Sequence, residues 1–149
     1  MNDLRFLKIK IVFTILLFLT FMNKLSAQEL SQHQWEDRIL IILTDSFENE
    51  MAKEQLQLFK KSWNGLEERK LIIYEITPEE YQLHHADTEI ISGASDLYEQ
   101  FNPRSNTFKL ILIGLDGTVK SSYNQPVPPN NIFKRIDQMP MRRREIREN

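Results

Sequence analysis

Arg38-Ile39-Leu40-Ile41-Ile42-Leu43-Thr44 sets the fold class. Its five central residues are all aliphatic, and three of them are β-branched. A strand with no polar face must be covered on both sides, as the inner strands of α/β sheets are. Residues 71–76 (Leu-Ile-Ile-Tyr-Glu-Ile) and 108–113 (Phe-Lys-Leu-Ile-Leu-Ile) have the same character. Between the first two runs, Ala52, Leu56, Phe59, Trp63 and Leu66 recur at spacings of four and three, which is one stripe of a helix. Asp45-Ser46 offers a turn and a helix N-cap. Glu48 and Glu50 place negative charge early in that helix, and Lys60-Lys61 place positive charge late, as the helix dipole prefers. Asn64-Gly65 suits its C-cap. Strand, helix and strand in this order imply a right-handed parallel crossover.

Downstream, Thr77-Pro78-Glu79-Glu80 has the form of a helix start, with proline at the first position and a capping-box glutamate. A short helix is therefore expected through His84 and His85, and another over residues 95–101, ending near Asn102-Pro103. After the third buried run, Leu115-Asp116-Gly117-Thr118 predicts a tight hairpin turn, with residues 119–123 returning as a polar edge strand. Ile132, Phe133, Ile136 and Met139 form the apolar face of a closing helix, which Pro140 interrupts. The order β-α-β-α-β-β-α is that of an α/β thioredoxin-like domain. In that fold a mixed four-stranded sheet runs 4-3-1-2 and carries helices on both faces.

The first 27 residues differ in kind. Arg5, Lys8 and Lys10 precede an apolar run over residues 11–21, and Leu25-Ser26-Ala27 follows. A basic region, an apolar core and a small-residue cleavage site define an export signal, and the run is short for a membrane span. The expected organisation is a signal peptide at 1–27, a lead-in at 28–37 that docks Trp35, a thioredoxin-like domain at 38–140, and a basic tail at 141–149. Cleavage takes away four basic residues and one acidic residue, moving the formal charge from −2 to −5. A mildly acidic domain is not an obvious nucleic-acid binder, and no stable membrane anchor is expected after cleavage. The expected location is periplasmic or extracellular.

The chain has no cysteine. Disulfide exchange, peroxidase chemistry, thiolate metal sites and lipoprotein anchoring are excluded by composition. In thioredoxin-like folds the reactive group sits where the first strand meets the first helix. Here that stretch is a degenerate active-site loop, Asp45, Ser46, Phe47 and Glu48; if Thr44 opens a Thr-x-x-Cys pattern, Phe47 stands in the position of sulfur. A serine nucleophile needs a base within reach, and the chain has three histidines, His33, His84 and His85, and no G-x-S-x-G elbow. Asp45 and Ser46 are expected to cap a helix. Adjacent histidines point in different directions on a strand or a helix, so His84-His85 with Asp87 and Glu89 is not read as a metal site. No cofactor-binding signature is present. Arg142-Arg143-Arg144 with Arg147 is the one dense basic cluster, and Arg142, Arg143 and Arg144 are the candidate anion contact.

The mature part of the chain resembles the domain-of-unknown-function 4174 family of small secreted bacterial proteins. Trp35 to Leu43 is similar to that family's opening Trp-x-x-Arg and apolar strand. Gly65-Leu66-Glu67-Glu68-Arg69 precedes the second strand as it does there, and Phe108 to Lys120 resembles the strand–turn–strand core. Phe133, Ile136-Asp137 and Met139-Pro140-Met141-Arg142 resemble its closing helix and most distinctive motif. The resemblance implies a peroxiredoxin-related fold generally without the catalytic cysteine. It also implies kinship with animal extracellular-matrix proteins such as coiled-coil domain-containing protein 80 and sushi-repeat proteins. The expected function is an exported, non-catalytic interaction or adhesion module whose partner is an envelope or extracellular protein or a polyanion. The alternative is an enzyme that uses the thioredoxin-like cleft without cysteine.

Overall fold

β1 (Arg38–Thr44) lies parallel to β2 (Leu71–Ile76) on one side and antiparallel to β5 (Phe108–Ile113) on the other. The computed structural model describes residues 30–85, 88–92, 96–102, 104 and 106–148, the backbone alone at 85 and 88–92; the signal peptide expected at 1–27 lies outside them. The sheet continues through β3 (Tyr81–His85), β4 (Thr88–Ser92) and β6 (Val119–Tyr123) in the order β4-β3-β2-β1-β5-β6. The expected 4-3-1-2 arrangement is present as β6-β5-β1-β2, and two further strands extend the sheet beyond β2.

Every residue of β1 is buried, and its side chains divide by parity. Leu40 and Ile42 join Phe59, Leu66, Leu110, Leu112, Ile132 and Ile136 on one face; Ile39, Ile41 and Leu43 join Tyr74, Ile76, Leu97, Tyr98 and Ile111 on the other. The first face is covered by α1 (Glu50–Lys60), α2 (Trp63–Glu68) and α4 (Pro129–Asp137), the second by α3 (Leu97–Phe101). Burying an aliphatic side chain contributes about 1.5–3 kcal/mol, so this two-sided strand holds the layers together. Gln55 is fully buried yet satisfied. Its amide donates to the Val127 carbonyl at 3.0 Å and accepts from the Val127 N–H at 2.6 Å, pinning the 126–128 loop to α1.

The helix expected after Thr77 is instead the β2–β3 hairpin. The Thr77 hydroxyl accepts from the Glu80 N–H at 3.1 Å, the bond a capping box would make, but the Thr77 N–H also donates to the Glu80 carbonyl at 2.8 Å. That pair closes a tight turn. Residues 81–84 then alternate in a strand pattern and occupy the open edge of β2, with Ile76 opposite Tyr81. The N-cap of α1 is Asn49, not Asp45 or Ser46; its side-chain oxygen accepts from the N–H groups of Met51 and Ala52. The helical stripe breaks at Lys61-Ser62 and resumes as α2, so Asn64-Gly65 lies inside a helix rather than at its end. A Cβ on Gly65 would stand 2.6 Å from the Phe133 ring, so this position needs glycine for close approach. The Trp35 side chain is not docked: the residue is 61% exposed and is tied to the domain by its backbone N–H, which donates to the Leu115 carbonyl at 2.7 Å, while Leu30 packs on the second core. Residues 141–148 of the basic tail lie in a regular helix, α5 (Pro140–Glu148).

Candidate functional site

The β1–α1 loop, where the thioredoxin scaffold normally reacts, has its polar groups engaged internally. The buried Thr44 hydroxyl donates to the Ser46 carbonyl at 2.9 Å. Asp45 Oδ1 accepts from the Asn49 amide at 2.8 Å, and Ser46 Oγ accepts from the Glu48 N–H at 3.1 Å. The exposed Glu48 carboxylate pairs with Lys53 at 2.6 Å, and the hydrogen bond from that ammonium lowers its pKa. Asn49 also donates to the Thr107 carbonyl at 3.2 Å, closing the loop against the chain before β5. No base faces Ser46 in these contacts, and none of Asp45, Ser46, Phe47 or Glu48 lines the cavities beside the C-terminal helices.

The chain's charged groups converge elsewhere, at the opposite end of β1. Arg38 is 1% exposed and forms a fork with Glu145 at 2.8 and 3.3 Å, while donating to the Arg69 carbonyl at 2.9 Å. Arg69 grips Asp137 through two bonds of 2.9 and 2.7 Å, and its guanidinium lies 4.5 Å from the centre of the Phe133 ring. Arg142 is 4% exposed and reaches Glu68, Asp137 and Glu145. Three arginines and three carboxylates thus join β1, α2, α4 and α5. Burial by itself would raise the carboxyl pKa of Asp137 and of Glu145. For Asp137 the guanidinium bonds of Arg69 and then Arg142 outweigh it; for Glu145 those of Arg38 and then Arg142 do. Both acids titrate below their ordinary values.

This corrects the expected anion contact. Arg142 is committed to internal carboxylates, whereas Arg143 and Arg144 are exposed. Arg147, the fourth arginine of the cluster, is exposed one helical turn beyond Arg143, beside the 52%-exposed Ile146. The three exposed arginines have no carboxylate partner among the described residues and, with Pro140 and Ile146, line a shallow cavity of about 520 Å³. A second cavity of about 410 Å³ lies at the corner between α4 and α5. Its walls are largely apolar (Leu115, Met139, Pro140, Met141), with Lys120 and Arg135 at the rim. Gly117, at φ +75°, completes the adjoining β5–β6 turn. There Lys120 donates to Asp116 at 2.6 Å, and that bond holds the Asp116 carboxyl down to about 2.

His84 and Glu75 form a buried pair at 2.9 Å between β3 and β2. No group of three or more histidine and acidic side chains among the described residues is arranged to hold a metal ion. Asp87 lies outside the described residues. No helix among the described residues is long and apolar enough to cross a membrane.

The parallel β1–β2 crossover, the β6-β5-β1-β2 order and helices on both faces define a thioredoxin-like α/β domain that lacks the scaffold's thiol. A solved structure supports the fold. A reduced 2-Cys peroxiredoxin of Plasmodium vivax superposes with a TM-score of 0.52 at 13% identity, over 78% of this chain and 83% of that one. A Plasmodium yoelii Prx1a modified at its N-terminus is similar at 14% identity with a TM-score of 0.46, over 72% of this chain and 76% of that one. The chain belongs to the family described as domain of unknown function DUF4174, which matches residues 29–145. The sushi repeat-containing protein SRPX2 of Rattus norvegicus is 26% identical over 120 residues, 78% of this chain. The chain spans 26% of the length of that relative.

Proposed function

We propose that this protein is an exported, non-catalytic binding module, and that the exposed face of α5 is its contact for anionic polymers. The observation that carries the first part is the β1–α1 loop: it has no thiol, and its hydroxyl, amide and carboxylate groups are engaged with one another or with neighbouring backbone. A scaffold whose reactive corner is closed in this way keeps its surfaces for recognition. The basic and apolar composition of residues 1–24 supports export. For the second part, Arg143, Arg144 and Arg147 project from one helix, and no carboxylate among the described residues pairs with them. Guanidinium groups in that state favour sulfate or phosphate esters.

Retention on a heparin column tests the contact. Replacing Arg143, Arg144 and Arg147 together by alanine is expected to move elution of the chain to clearly lower salt, because each lost ion contact reduces the salt dependence of binding. Elution unchanged by the triple substitution would remove α5 from the reading. Intact mass of the protein recovered from the cell envelope tests export, with cleavage after Ala27 the expected result and a full-length cytoplasmic chain the contrary one.

A further inference from the structure

We infer that the groove at the α4–α5 corner binds an extended peptide segment carrying a carboxylate beside bulky apolar side chains. The groove is distinct from the α5 face proposed above and is argued on its own charge balance. Arg38 at its base is neutralised by Glu145, and Lys120 at its rim is neutralised by Asp116. Arg135 is left over. It is exposed, it donates only to the Lys120 carbonyl at 3.3 Å, and no carboxylate among the described residues reaches it. A lone guanidinium beside a wall of Leu115, Met139, Pro140 and Met141 selects a ligand with one negative charge and an apolar body. Unbranched methionine side chains let such a wall adapt to different apolar partners.

The carbonyl that Arg135 covers singles out a peptide. Lys120 belongs to β6, which ends the sheet, and on its outer side no strand pairs with it among the described residues. A carboxylate offers Arg135 a two-bond fork that outcompetes a single 3.3 Å bond to a neutral carbonyl. Once released, the Lys120 carbonyl is an acceptor for the backbone N–H of the same incoming segment, as in strand addition to a sheet edge. A fatty acid supplies the carboxylate but no backbone N–H.

The test uses the full chain and two fluorescein-labelled hexapeptides, Gly-Leu-Asp-Leu-Gly-Gly and its Gly-Leu-Asn-Leu-Gly-Gly counterpart, with decanoate as a third probe. Anisotropy titrations are expected to give the aspartate peptide about tenfold tighter binding than the asparagine peptide. Arg135→Ala should collapse that ratio to near one, and Met141→Gln should weaken both peptides alike. The triple alanine variant of α5 should leave the ratio intact, which separates this groove from the polyanion surface. Equal affinities for the two peptides, a preference that survives Arg135→Ala, binding of decanoate alone, or no peptide binding up to about 1 mM would each overturn the inference.

Discussion

Removal of Glu145 is expected to be the most damaging single change on the surface of this protein. Its carboxylate accepts two bonds from Arg38, at 2.8 and 3.3 Å, and one from Arg142 at 3.3 Å. The two arginines do not suffer equally. Arg142 keeps Glu68 and Asp137, but Arg38 keeps only the Arg69 carbonyl, and with a side chain 1% exposed it has almost no access to water. Leaving one member of a buried ion pair uncompensated costs about 3–5 kcal/mol. Glu145 is itself 24% exposed, which allows some water to enter, so Glu145→Ala is expected near the lower end, about 3 kcal/mol. Arg38→Met should cost less, about 1 kcal/mol, because Glu145 then still has Arg142 and solvent. The double variant should be more stable than Glu145→Ala alone, since it removes the stranded charge. Urea unfolding at pH 7 with an unchanged slope measures all three. Trypsin cleavage at Arg143, Arg144 or Arg147 reports whether α5 has come away. Equal costs for the two single variants, or strictly additive costs in the double, would refute the claim that a buried Arg38 is the reason α5 docks.

Four further outcomes are expected. Gln55→Leu should destabilise by about 2–3 kcal/mol in urea unfolding, because it strands the buried N–H and carbonyl of Val127. A cost below about 0.5 kcal/mol would show that water replaces the amide. Asn49→Ala should cost about 1 kcal/mol through its lost cap, and Ser46→Ala distinctly less; the reverse order would return the cap to Ser46. Gly65→Ala should lower stability by about 1 kcal/mol, the clash with Phe133 outweighing the gain in helix propensity, and a rise in melting temperature would show that the ring moves aside. Acid should destabilise the fold in a defined window. Asp137 and Glu145 titrate below their ordinary values and Asp116 at about 2, so their contributions are whole above about pH 5 and fade as pH falls toward 2. Stability measured across that range in Asp137→Asn should fall less steeply than in the parent chain, and identical slopes would contradict the network.

The amino-acid sequence by itself determined the central layers. The short β-branched run at 39–43 reads as an inner strand, and the stripe from Ala52 to Leu66 reads as helix covering it, because hydrophobic periodicity is a local property; the break at Lys61-Ser62 that divides that stripe into α1 and α2 was not legible there. The missing cysteine and the Asp-Gly turn were legible for the same reason. Tertiary structure decided what local patterns leave open. Thr77 to Glu80 carries the opening bond of a helix and of a hairpin alike, and the free edge of β2 chose the hairpin. Asn49 rather than Ser46 became the cap because Asp45 and Thr107 hold its amide in place. In the cluster at 142–144, spacing cannot say which arginine turns inward. That was settled by carboxylates distant in the chain, Glu68 above all, since a charge is buried only where the fold brings it a partner.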